Sequence, residues 1–316
     1  MTLLASIPSP GQSTVSLGPL TIHFYGLMLL ASIAAAVWLL GVRYVRRGGN
    51  WDLVFQIAVW GVLAGVVGAR LYHDVTSWNE VEQIHSWWAP FAVWKGGLGI
   101  YGGILFGVLA GGIVIRRAGE SFIKMLDLVA PALLLAQAIG RWGNYFNQEL
   151  FGKPTSLPWG IKIDLINRPR GYERFTTFHP TFFYEFLLTL IGVGLLILLE
   201  RRFRFRPPAL FALYVAYYSL VRFFIELLRI DPAHHVAGLR INAWVSIFLF
   251  ALSWGFFVWW QFFRRYSDPV EEQGPPSPPG PEEKKPPKQA KKPKQASLKV
   301  KGPRMTVPKG RVRSGR

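Results

Sequence analysis

Residues 140–149 read GRWGNYFNQE, and they end a long apolar segment that begins near residue 126. The stretch places an arginine, two asparagines and a glutamate next to hydrocarbon-compatible sequence. A charged side chain in or near hydrocarbon costs several kcal/mol, with estimates from about 2.5 upward, so it usually faces a protein interior and has a function. A guanidinium supported by amides and a carboxylate is suited to bind an anionic oxygen group, above all phosphate. The alternative is an arginine that snorkels to the membrane interface among polar neighbours.

The spacing of the polar residues in this stretch predicts a common helical face. Residues three, four and seven positions apart are neighbours on a helix, so Arg141, Asn144 and Gln148 share one face, with Tyr145 one step round. We therefore expect a polar receptor at the end of a membrane helix.

The composition is that of a membrane protein. Hydrophobic residues make up 51% of the chain and charged residues only 17%, whereas soluble domains contain about 25% charged residues. A membrane span needs about 20 mainly apolar residues. We predict an all-α integral membrane protein with about seven transmembrane helices, at residues 22–42, 53–72, 98–115, 126–145, 180–199, 209–228 and 241–263.

Lysine and arginine in the loops predict the orientation of these spans, because cytoplasmic loops are enriched in both. The basic loops follow spans one, three and five, near residues 43–47, 116–124 and 201–206. The N-terminus is then outside and the C-terminus cytoplasmic. The loop at 74–94 carries Asp74, Glu80 and Glu82 and no basic residue, as an outside loop can. The loop at 150–178 is basic although the alternation places it outside, which indicates an interfacial or functional segment that attracts anionic headgroups.

The end of the chain differs from the membrane domain, which we assign to residues 1–266. From Arg264 onward, fifteen Lys or Arg residues face five Asp or Glu residues. Residues 267–316 are rich in Pro, Lys and Gln and cannot bury a core, so we expect a disordered cytoplasmic tail. Contact with anionic lipid fits this tail better than nucleic acid does, since no aromatic residues are interleaved with the charges; a simply solvated tail is the remaining alternative.

Several features limit the chemistry. The chain has no cysteine, which excludes a cysteine nucleophile, a disulfide and a thiolate metal site. The histidines show no metal-binding spacing, so we expect no metal and no cofactor. Residues 97–102 match G-x-G-x-x-G, but this match opens a membrane helix and lacks the βαβ context of a dinucleotide site.

Small residues spaced by four predict close approach between helices, at Gly61, Gly65, Gly103, Gly107 and Gly111.

A second charged cluster lies in span six. Tyr218, Arg222, Glu226 and Arg229 recur at four, four and three residues, which predicts one helical face. Arg222 and Glu226 can pair across one turn, and an ion pair that only locks helices together is the structural alternative. Because Arg141 also lies toward the outer end of its span, two arginines from different helices could hold one phosphate that carries a lipid. Other polar residues are predicted at the same level, namely His179, Tyr184, Glu185, Tyr101 and Tyr25.

The sequence resembles the prolipoprotein diacylglyceryl transferase family. The signature at 140–149, followed by Gly152, carries the resemblance, which extends from about residue 15 to 265. The remaining landmarks occur in family order, namely Tyr25-Gly26, Trp94-Lys95-Gly96-Gly97, Asp127 through Ala130-Pro131, His179-Pro180, Tyr184-Glu185, Arg222, Glu226 and Arg229.

The resemblance implies a seven-span enzyme of the bacterial plasma membrane. Such an enzyme moves the diacylglyceryl group of phosphatidylglycerol to the lipobox cysteine thiol of a preprolipoprotein, forms a thioether and releases glycerol phosphate. Arg141 and Arg222 would hold the phosphate and Glu226 would fix Arg222. Further residues implied in binding the substrate are Asn144, Asn147, Glu149, Tyr25, His179 and Tyr218.

One position departs from the family pattern. Some members carry a histidine, proposed as the base, directly before the Gly-Gly that opens span three, whereas this chain has Tyr101 before Gly102 and Gly103. A phenol with a reference pKa near 10 is a poor base at neutral pH unless strongly perturbed. Tyr101 is therefore a candidate catalytic residue that could instead only bind substrate.

Two other classes of function fit an intramembrane anion site. A transporter or a non-catalytic lipid-binding protein could use the same arginines, although the chain shows no convincing internal repeat of the kind found in many transporters. A purely structural scaffold would not need this many polar groups.

Overall fold

The computed structural model describes residues 6–18, 20–79, 86, 88–93 and 96–264. Three features of the sequence lie outside these residues: Glu80 and Glu82 of the acidic loop, Trp94 and Lys95 of the family landmark, and the tail at 267–316.

Seven long apolar helices in the described part of the chain confirm the predicted multi-pass membrane protein. They are α1 Phe24–Val45, α2 Trp51–Thr76, α3 Ile100–Arg117, α4 Phe122–Phe146, α5 Thr181–Arg202, α6 Ala209–Leu228 and α7 Ile241–Val258, the last continued by a π-helical turn at Trp259–Phe263.

The helix boundaries follow from capping residues. The Asn50 side chain accepts a hydrogen bond from Leu53 N at 3.0 Å at the start of α2, and Ser121 accepts one from Lys124 N at 3.4 Å at the start of α4. Such caps satisfy N–H groups that have no partner within the helix. α4 consequently begins at Phe122, four residues before the predicted start.

Short antiparallel hairpins add to the predicted all-helical fold. They pair β1 Thr14–Leu17 with β2 Leu20–His23, β3 Ile161–Lys162 with β4 Thr177–Phe178, and β5 His235–Val236 with β6 Leu239–Arg240. All three lie at the end of the helix bundle that the charge rule assigns to the outside, which we call the outer end.

The basic loop at 150–178 is a folded unit, which we call the outer cap. Phe151, Ile161, Ile163 and Phe178 form its buried core together with Phe182 of α5. The N-terminal segment joins this cap, because Ile7 N donates to Gly160 O and Lys162 N donates to Ile7 O, both at 2.9 Å. The cap therefore rests on the outer ends of α4 and α5.

Helix α4 is the most buried of the seven spans. It packs against α1 on one side and against α5 and α6 on the other, while α2 packs mainly against α3. At its inner end, Asp127 accepts a hydrogen bond from Phe211 N at 2.8 Å. The carboxylate thus binds an N–H group in the first turn of α6, where a negative charge is favourable.

The predicted glycine contacts lie between α2 and α3. A Cβ atom at Gly65 would stand 3.4 Å from Gly103 O, and one at Gly107 would stand 3.2 Å from Gly61 O. The approach is closer still at the outer end, where a Cβ at Gly102 would lie 2.1 Å from Gly68 O. Glycine lets the two backbones meet here, as small residues do between membrane helices.

We expect Gly102→Ala to destabilise the protein by about 1–3 kcal/mol, because the added methyl overlaps the backbone of α2. Thermal unfolding in detergent measures this. Gly194→Ala is the matched control, since a Cβ at that α5 position meets no atom within 4 Å. Equal melting temperatures for the two variants would contradict the proposed close contact.

Candidate functional site

The site is built around Arg141 in the last turns of α4. Its Nη2 atom lies 2.7 Å from Glu185 Oε1 in the first turns of α5. The Tyr218 hydroxyl of α6 accepts a hydrogen bond from the same Nη2 at 3.1 Å and donates one to Glu185 Oε1 at 3.2 Å. Glu185 is only 2% exposed, and a buried carboxylate needs such partners because burial has removed its hydrogen bonds to water.

Glu185 also connects Arg141 to the second predicted arginine. Its other oxygen, Oε2, lies 3.7 Å from Arg222 Nη1 on α6. Arg222 Nη2 in turn pairs with Glu226, one helical turn further on. The two arginines that the sequence predicted to converge therefore approach each other across one carboxylate.

Glu226 anchors a second ion-pair network, which is more completely buried and lies toward the outer end of α6. Its side chain is fully buried and also contacts Arg229 Nη1 at 3.2 Å and Arg240 Nε at 2.7 Å. Asp231 pairs with the same two arginines, at 2.7 and 2.8 Å. The side chains of Arg229 and Arg240 are each 7% exposed, whereas those of Arg141 and Arg222 are each 19% exposed. Arg141 and Arg222 are thus the more exposed two of these four arginines, and Arg229 and Arg240 surround Glu226.

A series of side-chain hydrogen bonds through Asn144 also orients Arg141, on the side away from Glu185. Arg141 Nη1 donates to Asn144 Oδ1 at 3.4 Å, and Asn144 Nδ2 donates to Glu149 Oε1 at 2.8 Å. Asn147 Nδ2 donates to the same Glu149 oxygen at 3.4 Å from a more exposed position. The three polar residues of the signature therefore form one connected group with the arginine.

Gln148 is the exception within the signature. The helix ends at Phe146, and Gln148 has a φ of 49°, so it does not continue the helical face that the spacing predicted. Its side chain instead binds Asp164, donating to Oδ2 at 2.6 Å and accepting from the backbone N at 2.8 Å. Gln148 thus attaches the end of α4 to the outer cap.

Two glycines allow close packing around the site. A Cβ at Gly143 would lie 2.6 Å from the ring of Tyr25, so glycine lets this half-exposed tyrosine of α1 cross α4 beside the signature. A Cβ at Gly152 would lie 2.9 Å from His179 Cβ and 3.1 Å from Leu228 O. Gly152 N also donates to His179 O just before α5, and Lys153 N donates to Leu228 O at the end of α6, both at 2.9 Å, so the outer cap is joined to both helices.

His179 lies at the edge of the site, just before α5. Its Nδ1 atom is 3.0 Å from the Tyr184 hydroxyl. Burial, together with the positive charge of Lys153, lowers the pKa of His179 below its usual value. The ring is therefore neutral at pH 7 and suited to hydrogen bonding rather than to charge pairing with an anion.

Tyr101 lies apart from this group. It belongs to the first turn of α3, is 69% exposed, and its ring centroid is 5.9 Å from that of Tyr72 on α2. Among the described residues, no hydrogen bond joins Tyr101 to the arginines. Its side chain is therefore exposed at the outer end of α3 and belongs to a different part of the bundle from the two arginines.

An open cleft of about 710 Å³ lies next to the signature at the outer end. Asn147, Gln148 and Asp164 form part of its wall, and the N-terminal segment at 10–16 forms another. The cleft has a mainly polar surface and brings water close to Asn147.

Comparison with known proteins identifies the family. The sequence profile described as prolipoprotein diacylglyceryl transferase matches residues 12–259. A phosphatidylglycerol–prolipoprotein diacylglyceryl transferase of Cutibacterium acnes is 48% identical over 250 residues, covering 78% of this chain and 83% of the relative. The corresponding protein of Bifidobacterium adolescentis is 44% identical over 262 residues, covering 79% and 78%, and transferase 1 of Streptomyces coelicolor is 46% identical over 252 residues, covering 79% and 72%.

The chain belongs to the prolipoprotein diacylglyceryl transferase family. The resemblance drawn from residues 140–149 is thereby confirmed, and the match extends over all seven membrane helices except the last few residues of the final span.

For this family member, the structure adds partners that the sequence pattern did not provide. Glu185 was noted for its level in the membrane and as a family landmark, but not as the residue that lies between the two arginines. Asp231 and Arg240 were missed, because a turn separates them from α6 and no helical period connects them to Glu226. Arg229 lies just beyond the helix end, and only its long side chain returns to Glu226.

We expect Glu226→Gln to destabilise the protein by about 3–5 kcal/mol, because three arginines would lose a buried counter-charge. Thermal unfolding of the detergent-purified protein measures the loss. Asp231→Asn serves as the control, since its side chain is 25% exposed and water can replace part of its contacts. If Glu226→Gln melts at the wild-type temperature, the network does not stabilise the fold.

Proposed function

We propose that this protein transfers the diacylglyceryl group of phosphatidylglycerol to the lipobox cysteine thiol of preprolipoproteins. The names of its relatives identify the donor lipid and the acceptor protein. The observation that carries the proposal is the approach of Arg141 and Arg222 from two helices to either side of Glu185. Their partly exposed guanidinium groups provide N–H donors for one phosphate at the outer end of the bundle.

The reaction requires the site to stabilise negative charge on a leaving group. The cysteine thiol first loses its proton to water or to a base, since the thiolate is the nucleophile. The sulfur then attacks the glycerol carbon of the diacylglyceryl group, a carbon–sulfur bond forms, and the bond from that carbon to the phosphate oxygen breaks. The bonding electron pair leaves with glycerol phosphate. Arg141 and Arg222 would stabilise this growing negative charge, which is usually the largest catalytic contribution in such sites.

The remaining site residues position these two arginines and the substrate. Asn144 and Glu149 hold Arg141 through hydrogen bonds, and Asn147 extends this group toward the polar cleft, where it would meet the glycerol headgroup. Glu226 fixes Arg222. Tyr218 contributes its hydroxyl to the Arg141–Glu185 pair, and Tyr25 and His179 would line the lipid pocket at its edges.

The proposed setting is the outer face of the bacterial plasma membrane, with the N-terminus outside and the C-terminus in the cytoplasm. The charge rule supports this orientation. An outer-face site suits an exported lipoprotein precursor, and the polar cleft near Asn147 gives the water-soluble glycerol phosphate a way out. We also propose that the membrane domain contacts the surrounding lipids and that the basic tail at 267–316 contacts anionic lipid.

The direct test incubates the purified protein with phosphatidylglycerol and a lipobox peptide, and detects the diacylglyceryl-modified cysteine by mass spectrometry. We expect Arg141→Ala to lower turnover by at least about 10²-fold, the cost of losing one donor to a developing anion. Arg117→Ala is the matched control, because that arginine is exposed at the inner end of α3 and should leave turnover unchanged.

A cysteine-to-serine peptide should give no thioether product. Phosphatidylglycerol binding without any modified peptide would overturn the transferase and favour a non-catalytic lipid-binding protein. Loss of folded Arg141→Ala protein would assign the arginine a structural role.

Tyr101 can be tested separately, because two roles predict different pH–rate profiles. The exposed position favours peptide binding, so we expect Tyr101→Phe to raise the KM for the peptide several-fold without moving the pH dependence of turnover. If turnover instead falls by about 10²-fold or more and the pH profile changes, the phenol is the base that deprotonates the thiol. Tyr72→Phe, on the ring that Tyr101 contacts, controls for local packing.

A further inference from the structure

A second polar contact crosses between α4 and α6 one turn deeper than Arg141. Gln137 Nε2 lies 3.1 Å from the hydroxyl oxygen of Tyr214. Four residues on a helix rise about 6 Å, and Gln137 and Tyr214 each precede a site residue by four positions. The two helices therefore carry parallel polar columns, Gln137–Arg141 and Tyr214–Tyr218, joined by two contacts of 3.1 Å.

The deeper pair retains unused hydrogen-bonding capacity within the apolar part of the bundle. Gln137 Oε1 is buried and has no hydrogen-bond partner among the described residues. With the amide in this orientation, the Tyr214 hydroxyl accepts from Gln137 and its own proton has no acceptor in the described part of the chain. With the amide turned over, the hydroxyl donates to Oε1 and the two N–H groups of the amide become free. Either arrangement leaves a donor available.

An unsatisfied donor at this depth is costly, because no water replaces the missing acceptor. Both residues keep part of their side-chain surface exposed, and a lipid that enters beside them would have to reach the buried amide from that exposed side. A phospholipid whose phosphate lies between Arg141 and Arg222 would extend its glycerol backbone inward from the phosphate. Its two ester groups, joined to the phosphate by that short backbone, would lie about one turn deeper. Ester carbonyl oxygens are acceptors that match the free donors.

We propose that Gln137 and Tyr214 bind an ester carbonyl of the donor lipid and thereby select diacyl over dialkyl glycerophospholipids. This inference rests on the proposed transfer reaction and adds a specificity element to it. The lipid would be held at two depths. The arginines bind its phosphate through charge, and Gln137 with Tyr214 binds an ester carbonyl through a neutral hydrogen bond. The ester contact also sets how deeply the reacting glycerol carbon lies relative to the arginines.

The test compares diacyl phosphatidylglycerol with its dialkyl ether analogue, which has the same headgroup and chains but lacks the carbonyl oxygens. Modification of the lipobox peptide is measured as kcat/KM for each lipid. The wild type should prefer the diacyl lipid by roughly 2- to 12-fold, the value of one net hydrogen bond. Gln137→Leu and Tyr214→Phe should each reduce that preference toward one.

Tyr217→Phe is the matched control, because it removes a hydroxyl from the same helix. That hydroxyl donates to Leu188 O on α5 and does not take part in the polar columns. We expect Tyr217→Phe to keep the wild-type preference. If Gln137→Leu fails to fold, Tyr214→Phe and the wild-type ratio still decide the question.

The ester contact would be overturned if the two variants lost the same fraction of kcat/KM with both lipids, or if the wild type had the same kcat/KM for both. The contact between Gln137 and Tyr214 would then be a structural hydrogen bond between helices. Absence of modified peptide with either lipid would instead reject the proposed transferase.

Discussion

The structure depends on the pairing of Glu185 with Arg141 and Arg222. Charges at this depth are tolerated only when opposite charges and hydrogen bonds replace water. Glu185 provides this for two helices at once, and Glu226 and Asp231 do so for Arg229 and Arg240. The same pairing holds Arg141 and Arg222 in position while each side chain stays partly exposed. Stability and the proposed phosphate binding thus depend on one network, and a ligand phosphate would meet arginines that are already held in place.

The two halves of the bundle use different means of packing. The pair α2 and α3 is joined by glycines that let backbones touch, and Gly102 lies at the tightest point. Around α4, in contrast, the contacts are made by polar side chains at the outer end and by a hydrophobic core further in, which includes Leu134 and Leu196. Tyr101 belongs to the first half and the arginines to the second. The proposed acceptor peptide would therefore meet one half, and the donor lipid the other.

The sequence predicted the seven spans well because length and apolar composition are local properties. It also predicted that Arg141, Asn144 and Glu149 act together, since they lie close along the chain. Glu185, Asp231 and Arg240 were beyond its reach, because their contacts join residues that are far apart in sequence or separated by a turn. For Gln148, in contrast, the sequence predicted a position that the structure does not show. Its spacing fits the helical face, but the chain turns at Asn147 and Gln148 adopts a positive φ, so the side chain faces the outer cap.

The order in which the charges occur along the chain has a consequence for insertion into the membrane. Arg141 is synthesised before Glu185, and Glu185 before Arg222 and Glu226. When α4 first meets the lipid, its arginine has no counter-charge, but its place near the helix end lets the side chain reach the headgroup region. When α5 is inserted, Glu185 provides the counter-charge, and the Arg141 side chain no longer has to reach the headgroup region. The charged residues of α4, α5 and α6 thus find their partners in the order in which the helices are synthesised.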